Sequence, residues 1–197
     1  MGSEMCIRDS FKRTILVATS GDTGSAVASA FWGKKNFEVQ ILFPDSNVSD
    51  RQKHQLTCWD NNVRSFGIRE NFDACQRTVK SRLKEMPLRY TSANSINIGR
   101  LLPQMTYFAM TSLRYPEINF IVPSGNMGNV LACFWAKETG FPINKNHIST
   151  NANKPLETFF NTGKYASQPT VETIANAMDV GNPSNVERFL HQFPDLD

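Results

Sequence analysis

The chain has 197 residues, enough for one compact domain or two small lobes with a sizeable core. Hydrophobic residues make up 40% and charged residues 20%, which argues against disorder, and no apolar run approaches the roughly 20 residues that span a bilayer. The net charge is +3 but uneven, since residues 51–100 hold ten Lys/Arg against four Asp/Glu while 151–197 hold three against six.

Strands and helices alternate from about residue 14. TILVA (14–18) reads as a strand that meets Gly21 and a small-residue helix, SAVASAFW. VQILF (39–43) is a second strand, followed by a polar helix, VSDRQKHQLTCW, that Ser49 or Asp50 can cap. NVRSFGI (62–68) is a third strand. From Asn71, the residues Phe72, Cys75, Val79, Leu83 and Met86 fall at helical spacing until Pro87. Ile98, Leu101, Leu102, Met105, Phe108 and Ala109 mark the apolar face of another helix, with Pro103 tolerable only near its first turn. NFIVPS (119–124) is a buried strand, NVLACFWAKET (129–139) a helix, HISTNA (147–152) a strand, and KPLETFFN (154–161) a helix stopped at Gly163. The tail is broken by Pro169, Gly181 and Pro183 before a short helix at 185–191. Such alternation is the signature of βαβ units around a parallel sheet, giving an α/β fold.

Four cysteines (Cys6, Cys58, Cys75, Cys133) lie far apart without a CxxC, which excludes a zinc ribbon and argues against a disulfide framework. They read as core residues in a reducing, cytoplasmic setting. No metal cluster is expected. The scattered basic residues lack aromatic interleaving or a nucleic-acid motif; they read as a solvated helical face or as an attraction for small phosphorylated ligands. Nucleic-acid and membrane partners are not expected.

Two loops share one grammar. Residues 15–30 read ILVAT-SGDTG-SAVASA and residues 120–133 read FIVP-SGNMG-NVLAC. Each places Ser-Gly-Asp/Asn-x-Gly between a strand and a helix. Glycines let backbone N–H groups approach an anion, and the helix start presents unpaired donors and a positive dipole end. The plainer alternative is a pair of tight turns capped by Asp22 and Asn126, but the repetition points to two anionic groups. Neither loop is a Walker P-loop or a GxGxxG, and no GxSxG elbow is present. A third cluster, Asn94-Ser95-Ile96-Asn97-Ile98-Gly99-Arg100, offers amides, a hydroxyl and a guanidinium near a helix start.

The strings VATSGDTGSAV, FPDSNVSDRQKHQLT, NFDACQRTVK, NSINIGRLLPQ, VPSGNMGNVLA, TNANKPLETFFNTGKY and AMDVGNPSNVERFL resemble, in order from Ile15 to Leu190, the threonine synthase family. That family belongs to the tryptophan-synthase-β-like group of pyridoxal-phosphate enzymes and converts O-phosphohomoserine and water to threonine and phosphate. The resemblance implies a two-lobed parallel-sheet fold, with 14–90 as a smaller lobe and 91–197 as part of a larger, cofactor-binding lobe. It implies that Ser124, Gly125, Asn126, Met127, Gly128 and Asn129 cradle the phosphate of pyridoxal 5'-phosphate. Met127 stands where many relatives carry Phe. Ser20, Gly21, Thr23 and Gly24 would face the substrate, with Asp22 near the cofactor's phenolic oxygen. Asn94, Ser95, Asn97 and Arg100 would help hold the substrate. His54, His147 and His191 match no catalytic motif.

Relatives carry their cofactor-bound lysine in a Phe-Lys-Asp segment. Phe11-Lys12 is followed here by Arg13, and no other lysine has that context, so the lysine is expected upstream and no catalytic residue is assigned. The expectation is an internal part of the enzyme, incomplete at both ends and inactive alone. MGSEMCIRDS (1–10) matches nothing in the family and reads as a scar or assembly artefact. The alternatives are another lyase of the same fold group, such as threonine dehydratase or a cysteine synthase, and a non-catalytic anion-binding protein without the lysine.

Overall fold

The computed structural model describes residues 12–19, 21–46 and 48–193. The reading of residues 1–10 as foreign lies outside them, as does Ser20. The chain divides into two compact units, one ending at Asn94 and the other beginning at Ser95.

The first unit follows strict strand–helix alternation: β1 (Arg13–Ala18), α1 (Asp22–Phe31), β2 (Phe37–Pro44), α2 (Asp50–Thr57), β3 (Val63–Ile68), α3 (Phe72–Glu85) and β4 (Tyr90–Ser92). Its four strands are parallel in the order β3-β2-β1-β4. Successive side chains of a strand point to opposite faces. Ile15, Val17, Val39, Ile41, Phe43 and Val63 accordingly share one face, packed with Val27 and Ala28 of α1 and Leu56 of α2. Burying each of the Val, Ile, Leu and Phe side chains among them is worth about 1.5–3 kcal/mol. On β1 every residue from Thr14 to Ala18 is buried, as expected of an inner parallel strand covered on both faces. Ser49 caps α2 through a capping box, its Oγ accepting from Gln52 N while Gln52 Oε1 accepts from Ser49 N. Asn71 caps α3 by accepting from Ala74 N.

The second unit contains α4 (Ile98–Leu101), a 3-10 turn (Leu102–Gln104), α5 (Met105–Arg114), β5 (Ile118–Pro123), α6 (Gly128–Glu138), β6 (Ile143–Ser149), α7 (Pro155–Thr162), a second 3-10 turn (Asn176–Met178) and α8 (Val186–Gln192). β5 and β6 pair in parallel as a two-stranded sheet. Helix α6 is the spine of the core: Val130, Leu131, Ala132, Cys133 and Ala136 are wholly buried against Leu101, Phe108, Val122, Leu156, Phe159, Val186 and Phe189.

Several expectations need correction. β5 is not a buried strand: Ile121 is 74% exposed, because this strand pairs on one edge only and one face has no cover among the described residues. The single helix expected over 98–109 is broken at Pro103, which lacks the N–H an α-helix interior requires, and Ile98 and Leu102 are exposed instead of lining its apolar face. β6 starts at Ile143, earlier than the expected 147, because Ile143 pairs with Ile118 through a polar edge segment. Cys75 and Cys133 are buried as expected, but Cys58, the C-cap of α2, is exposed. β4 was not anticipated; it pairs with β1 and carries the first unit on to Asn94.

Candidate functional site

Both rhyming loops follow the carboxyl end of a parallel strand and lead into a helix, yet their donors are disposed differently. In the first, buried Thr19 organises the turn. Its Oγ1 accepts from the N–H groups of Gly21 (3.1 Å) and Gly24 (3.2 Å), while its hydroxyl donates to the Gly21 carbonyl (3.0 Å). Two glycine N–H groups are thereby taken internally. Asp22 occupies the first turn of α1 and already places negative charge at the dipole's positive end. Packing requires glycine at position 24, where a Cβ meets core side chains, whereas at position 21 it meets only the end of the Gln52 side chain. A Cβ at Gly21 would come within 2.6 Å of Gln52 Nε2, and one at Gly24 within 2.5 Å of Leu56 Cδ2. Thr23 is half-buried in the same turn. Asn94 clips the strand leading into this loop: its Oδ1 accepts from Ala18 N (2.8 Å) and its amide donates to the Ala18 carbonyl (2.5 Å).

The second loop keeps its helix start open. Ser124 N donates to the Ser149 carbonyl (2.8 Å), extending the ladder, and Ser124 Oγ accepts from Met127 N (3.1 Å). Met127 adopts φ +60°, the left-handed region, and buries its side chain completely in the core. That conformation costs a non-glycine residue on the order of 1 kcal/mol. Core packing therefore holds Met127 in place, and only its backbone faces the loop's concavity. Gly128, Asn129 and Val130 form the first turn of α6, whose N–H groups have no intrahelical acceptors. No acidic residue stands in that turn. Gly125 is packed against the chain behind it, since a Cβ there would lie 3.0 Å from Met178 Cα and from Val180 Cγ2.

The polar side chains of this loop are largely committed to building it. Asn126 donates to Ser95 Oγ (2.8 Å), and its Oδ1 accepts from Ser184 N (2.5 Å) and Ser184 Oγ (2.9 Å). Its main-chain carbonyl accepts from Asn185 Nδ2 (2.9 Å). Asn129 donates to Gln104 Oε1 (2.8 Å) and to the Tyr107 hydroxyl. Burial raises the Tyr107 pKa above its ordinary value, an effect the Asn129 hydrogen bond partly offsets. Asn97 caps α4 by accepting from Gly99 N (2.9 Å), and Arg100 lies exposed on that short helix. The structure thus brings Ser95, Asn126 and the 124–129 loop together within the second unit, with Asn97 and Arg100 on the adjoining turn. Asn94, Gly21, Asp22, Thr23 and Gly24 belong to the first unit. Thr19, Ser184, Asn185 and Arg188 were missed from sequence. A threonine directly before the loop was the available signal for the first of these. No cluster of three or more His, Cys, Asp or Glu residues suited to a metal ion occurs among the described residues.

The loop after β5 fits a phosphate group by its donor chemistry: an uncapped helix start, glycine at two positions, and no competing carboxylate in the first turn. Residues 5–192 match the pyridoxal-phosphate dependent enzyme family. The threonine synthase of Haemophilus influenzae is 42% identical over 196 residues, covering 95% of this chain and 46% of that protein. That of Escherichia coli is 39% identical over 189 residues, 91% of this chain and 44% of that protein. The chain spans about half the length of these relatives. Among solved structures, threonine synthase from E. coli superposes with a TM-score of 0.84 at 36% identity, covering 96% of this chain and 47% of that one. The pyridoxal-phosphate-bound threonine synthase from Brucella melitensis gives 0.77 at 34% identity, covering 98% and 44%. A tomato threonine deaminase, at 17% identity and TM-score 0.65, shares the fold.

Proposed function

Because the chain belongs to the pyridoxal-phosphate dependent enzyme family, we propose that it carries the phosphate-anchoring and substrate-holding parts of a threonine synthase. The reaction is conversion of O-phosphohomoserine and water to threonine and phosphate. The observation that carries the reading is the open helix start at 124–129 on a chain about 40% identical to threonine synthases. The two units would correspond to the smaller lobe and part of the larger, cofactor-binding lobe of such an enzyme.

In this reading the backbone N–H groups of the Ser124–Asn129 loop hold the phosphate of pyridoxal 5'-phosphate, aided by the dipole of α6. When bound, that cofactor supplies an electron sink for loss of protons from the substrate's carbon atoms. Asn97 and Arg100 engage the substrate's anionic groups, Arg100 through its bidentate fork. Ser95 contributes by fixing Asn126. Gly21, Thr23 and Gly24 would form the substrate-facing turn of the first unit, Asp22 belongs with the cofactor-binding residues, and Asn94 clips the end of β1 that leads into that turn. Ser20 belongs to the same proposal. The three free cysteines among the described residues accord with a reducing, cytoplasmic setting.

Calorimetric titration of the purified 197-residue chain tests the reading. Pyridoxal phosphate should bind, inorganic phosphate should compete with it, and pyridoxal without its phosphate should bind far more weakly. Borohydride should fix no stoichiometric label to one specific lysine of this chain, because none stands in a Phe-Lys-Asp context. Equal binding of pyridoxal and its phosphate would refute the phosphate loop. Stoichiometric labelling of one lysine with turnover of O-phosphohomoserine would refute the assignment of the catalytic lysine elsewhere.

A further inference from the structure

Arg188 lies on α8, far in sequence from both segments that it joins. One guanidinium nitrogen donates to the Ser95 carbonyl (3.1 Å) and to Asn185 Oδ1 (2.7 Å); the other donates to the Ile96 carbonyl (2.6 Å). No carboxylate lies within ion-pair distance of it among the described residues. The guanidinium is half-buried and all three of these acceptors are neutral amide oxygens. A cation needed only for its charge would stay in water or meet a carboxylate. A planar fork set on two successive carbonyls and a side-chain amide works as a geometric clamp.

What the clamp grips decides its consequence. Ser95 and Ile96 immediately precede Asn97, the cap of α4, and that helix carries Arg100. Ser95 Oγ also accepts from Asn126, and Asn185, gripped by Arg188, donates to the Asn126 carbonyl. Two hydrogen-bonded routes therefore run from one guanidinium to the phosphate loop, and a third runs to the turn bearing Asn97 and Arg100. We propose that Arg188 is a positioning residue that holds the 95–100 turn and the 124–128 loop in fixed register, so that the loop's N–H groups converge on an anion. The proposal rests on reading 124–129 as a phosphate site.

The test compares Arg188→Met and Arg188→Lys with the parent chain. Backbone amide shifts of 124–129 are read by NMR, and affinity for inorganic phosphate is read by calorimetry. A stability-matched control, Phe189→Leu, perturbs the same helix through its core side. Arg188→Met should weaken phosphate binding about tenfold and shift the amides of Gly125, Asn126 and Gly128. Arg188→Lys, which keeps one donor direction of the fork, should recover part of the loss. Phe189→Leu should leave affinity within twofold at an equal fall in melting temperature. Unchanged affinity and unchanged loop amides in Arg188→Met overturn the proposal, as does an equal loss of affinity in the control. Should Arg188→Met not fold, Arg188→Lys carries the test: loss of affinity without loss of melting temperature supports the clamp, and parental affinity refutes it. Failure of the parent to bind phosphate refutes the anion-loop reading separately, and the amide shifts alone then decide whether Arg188 sets the loop.

Discussion

Two glycines three residues apart in one loop should respond unequally to alanine. At Gly125 an added Cβ would lie 3.0 Å from Met178 Cα, 3.0 Å from Val180 Cγ2 and 3.1 Å from the Met178 carbonyl. These distances fall well below ordinary carbon contacts near 3.5–4.0 Å. Two of the three atoms are backbone, and that backbone is pinned. Met178 N donates to the Ala175 carbonyl, and the next residue, Asp179, accepts from Asn151, Asn153 and both donors of Thr173. Relief must come largely from the loop, so Gly125→Ala should cost about 1–3 kcal/mol as overpacking. For a chain of this length that is roughly 2–12 °C in melting temperature. It should also weaken phosphate binding by displacing the neighbouring N–H groups. At Gly128 the nearest atoms would be Ser95 Cβ at 3.3 Å and Asn185 Nδ2 at 3.5 Å, and the residue opens α6. There the clash is slight and alanine's helix propensity, better by up to about 1 kcal/mol, offsets it. Gly128→Ala should therefore melt within about 2 °C of the parent. Thermal melts by circular dichroism decide the matter. A Gly128→Ala chain less stable than Gly125→Ala would refute the packing argument, and so would a Gly125→Ala chain indistinguishable from the parent.

Gly24→Ala should destabilise by about 1–3 kcal/mol, because its Cβ would meet Leu56 Cδ2 at 2.5 Å and Thr19 Cγ2 at 2.6 Å. Adding Leu56→Ala should recover part of that cost beyond additivity, which urea melts of the four chains would show. Ser49→Ala removes one arm of the capping box on α2 and should cost about 1 kcal/mol in the same melts. Burial pushes the thiols of Cys75 and Cys133 up to about 11, whereas Cys58 is exposed. At pH 8 a thiol reagent should therefore modify Cys58 rapidly and the other two only on unfolding. Because both buried pKa values lie above the ordinary 9.0, these groups stabilise the fold fully below pH 9, and stability should fall between pH 9 and about 11. A pH series of melts showing stability rising over that window would contradict this.

The sequence displayed local periodicity well and long-range commitments poorly. Continuous apolar runs such as Thr14–Ala18 announce a strand buried on both faces, helical spacing from Phe72 to Val79 reports a buried face, and those elements stand where expected. Tyr90–Ser92 is too short to show any period, and it becomes a strand only because β1 offers a free edge. Ile121 looks like a core residue by composition, yet its exposure depends on how many strands flank β5. The same holds at the site. Glycines and a serine before a helix mark the loop, but nothing local reveals that Asn126 is bound by Ser95, Ser184 and Asn185. Arg188 stands in a helix-forming stretch, NVERFL, where a solvated role is the ordinary reading. Two of its three partners lie more than 90 residues away, at Ser95 and Ile96.

The likeness of the two loops conceals a division of labour that one residue before each loop helps to set. Thr19 precedes SGDTG, and its hydroxyl consumes the N–H groups of Gly21 and Gly24. Pro123 precedes SGNMG and has no side-chain hydroxyl, so only Ser124 turns inward, and it takes a single donor, Met127 N. Asp22 then neutralises the dipole of α1, whereas the corresponding position of the second loop holds the neutral Asn126 and the first turn of α6 has no acidic residue. Anion affinity should therefore concentrate at 124–129 and not at the Gly21–Gly24 turn. Exchanging the charges separates the two effects. Asn129→Asp places a carboxylate in the first turn of α6 and should weaken phosphate binding by tenfold or more. Asp22→Asn should change it less than twofold. Comparable losses in both variants would mean that the two loops bind anions alike.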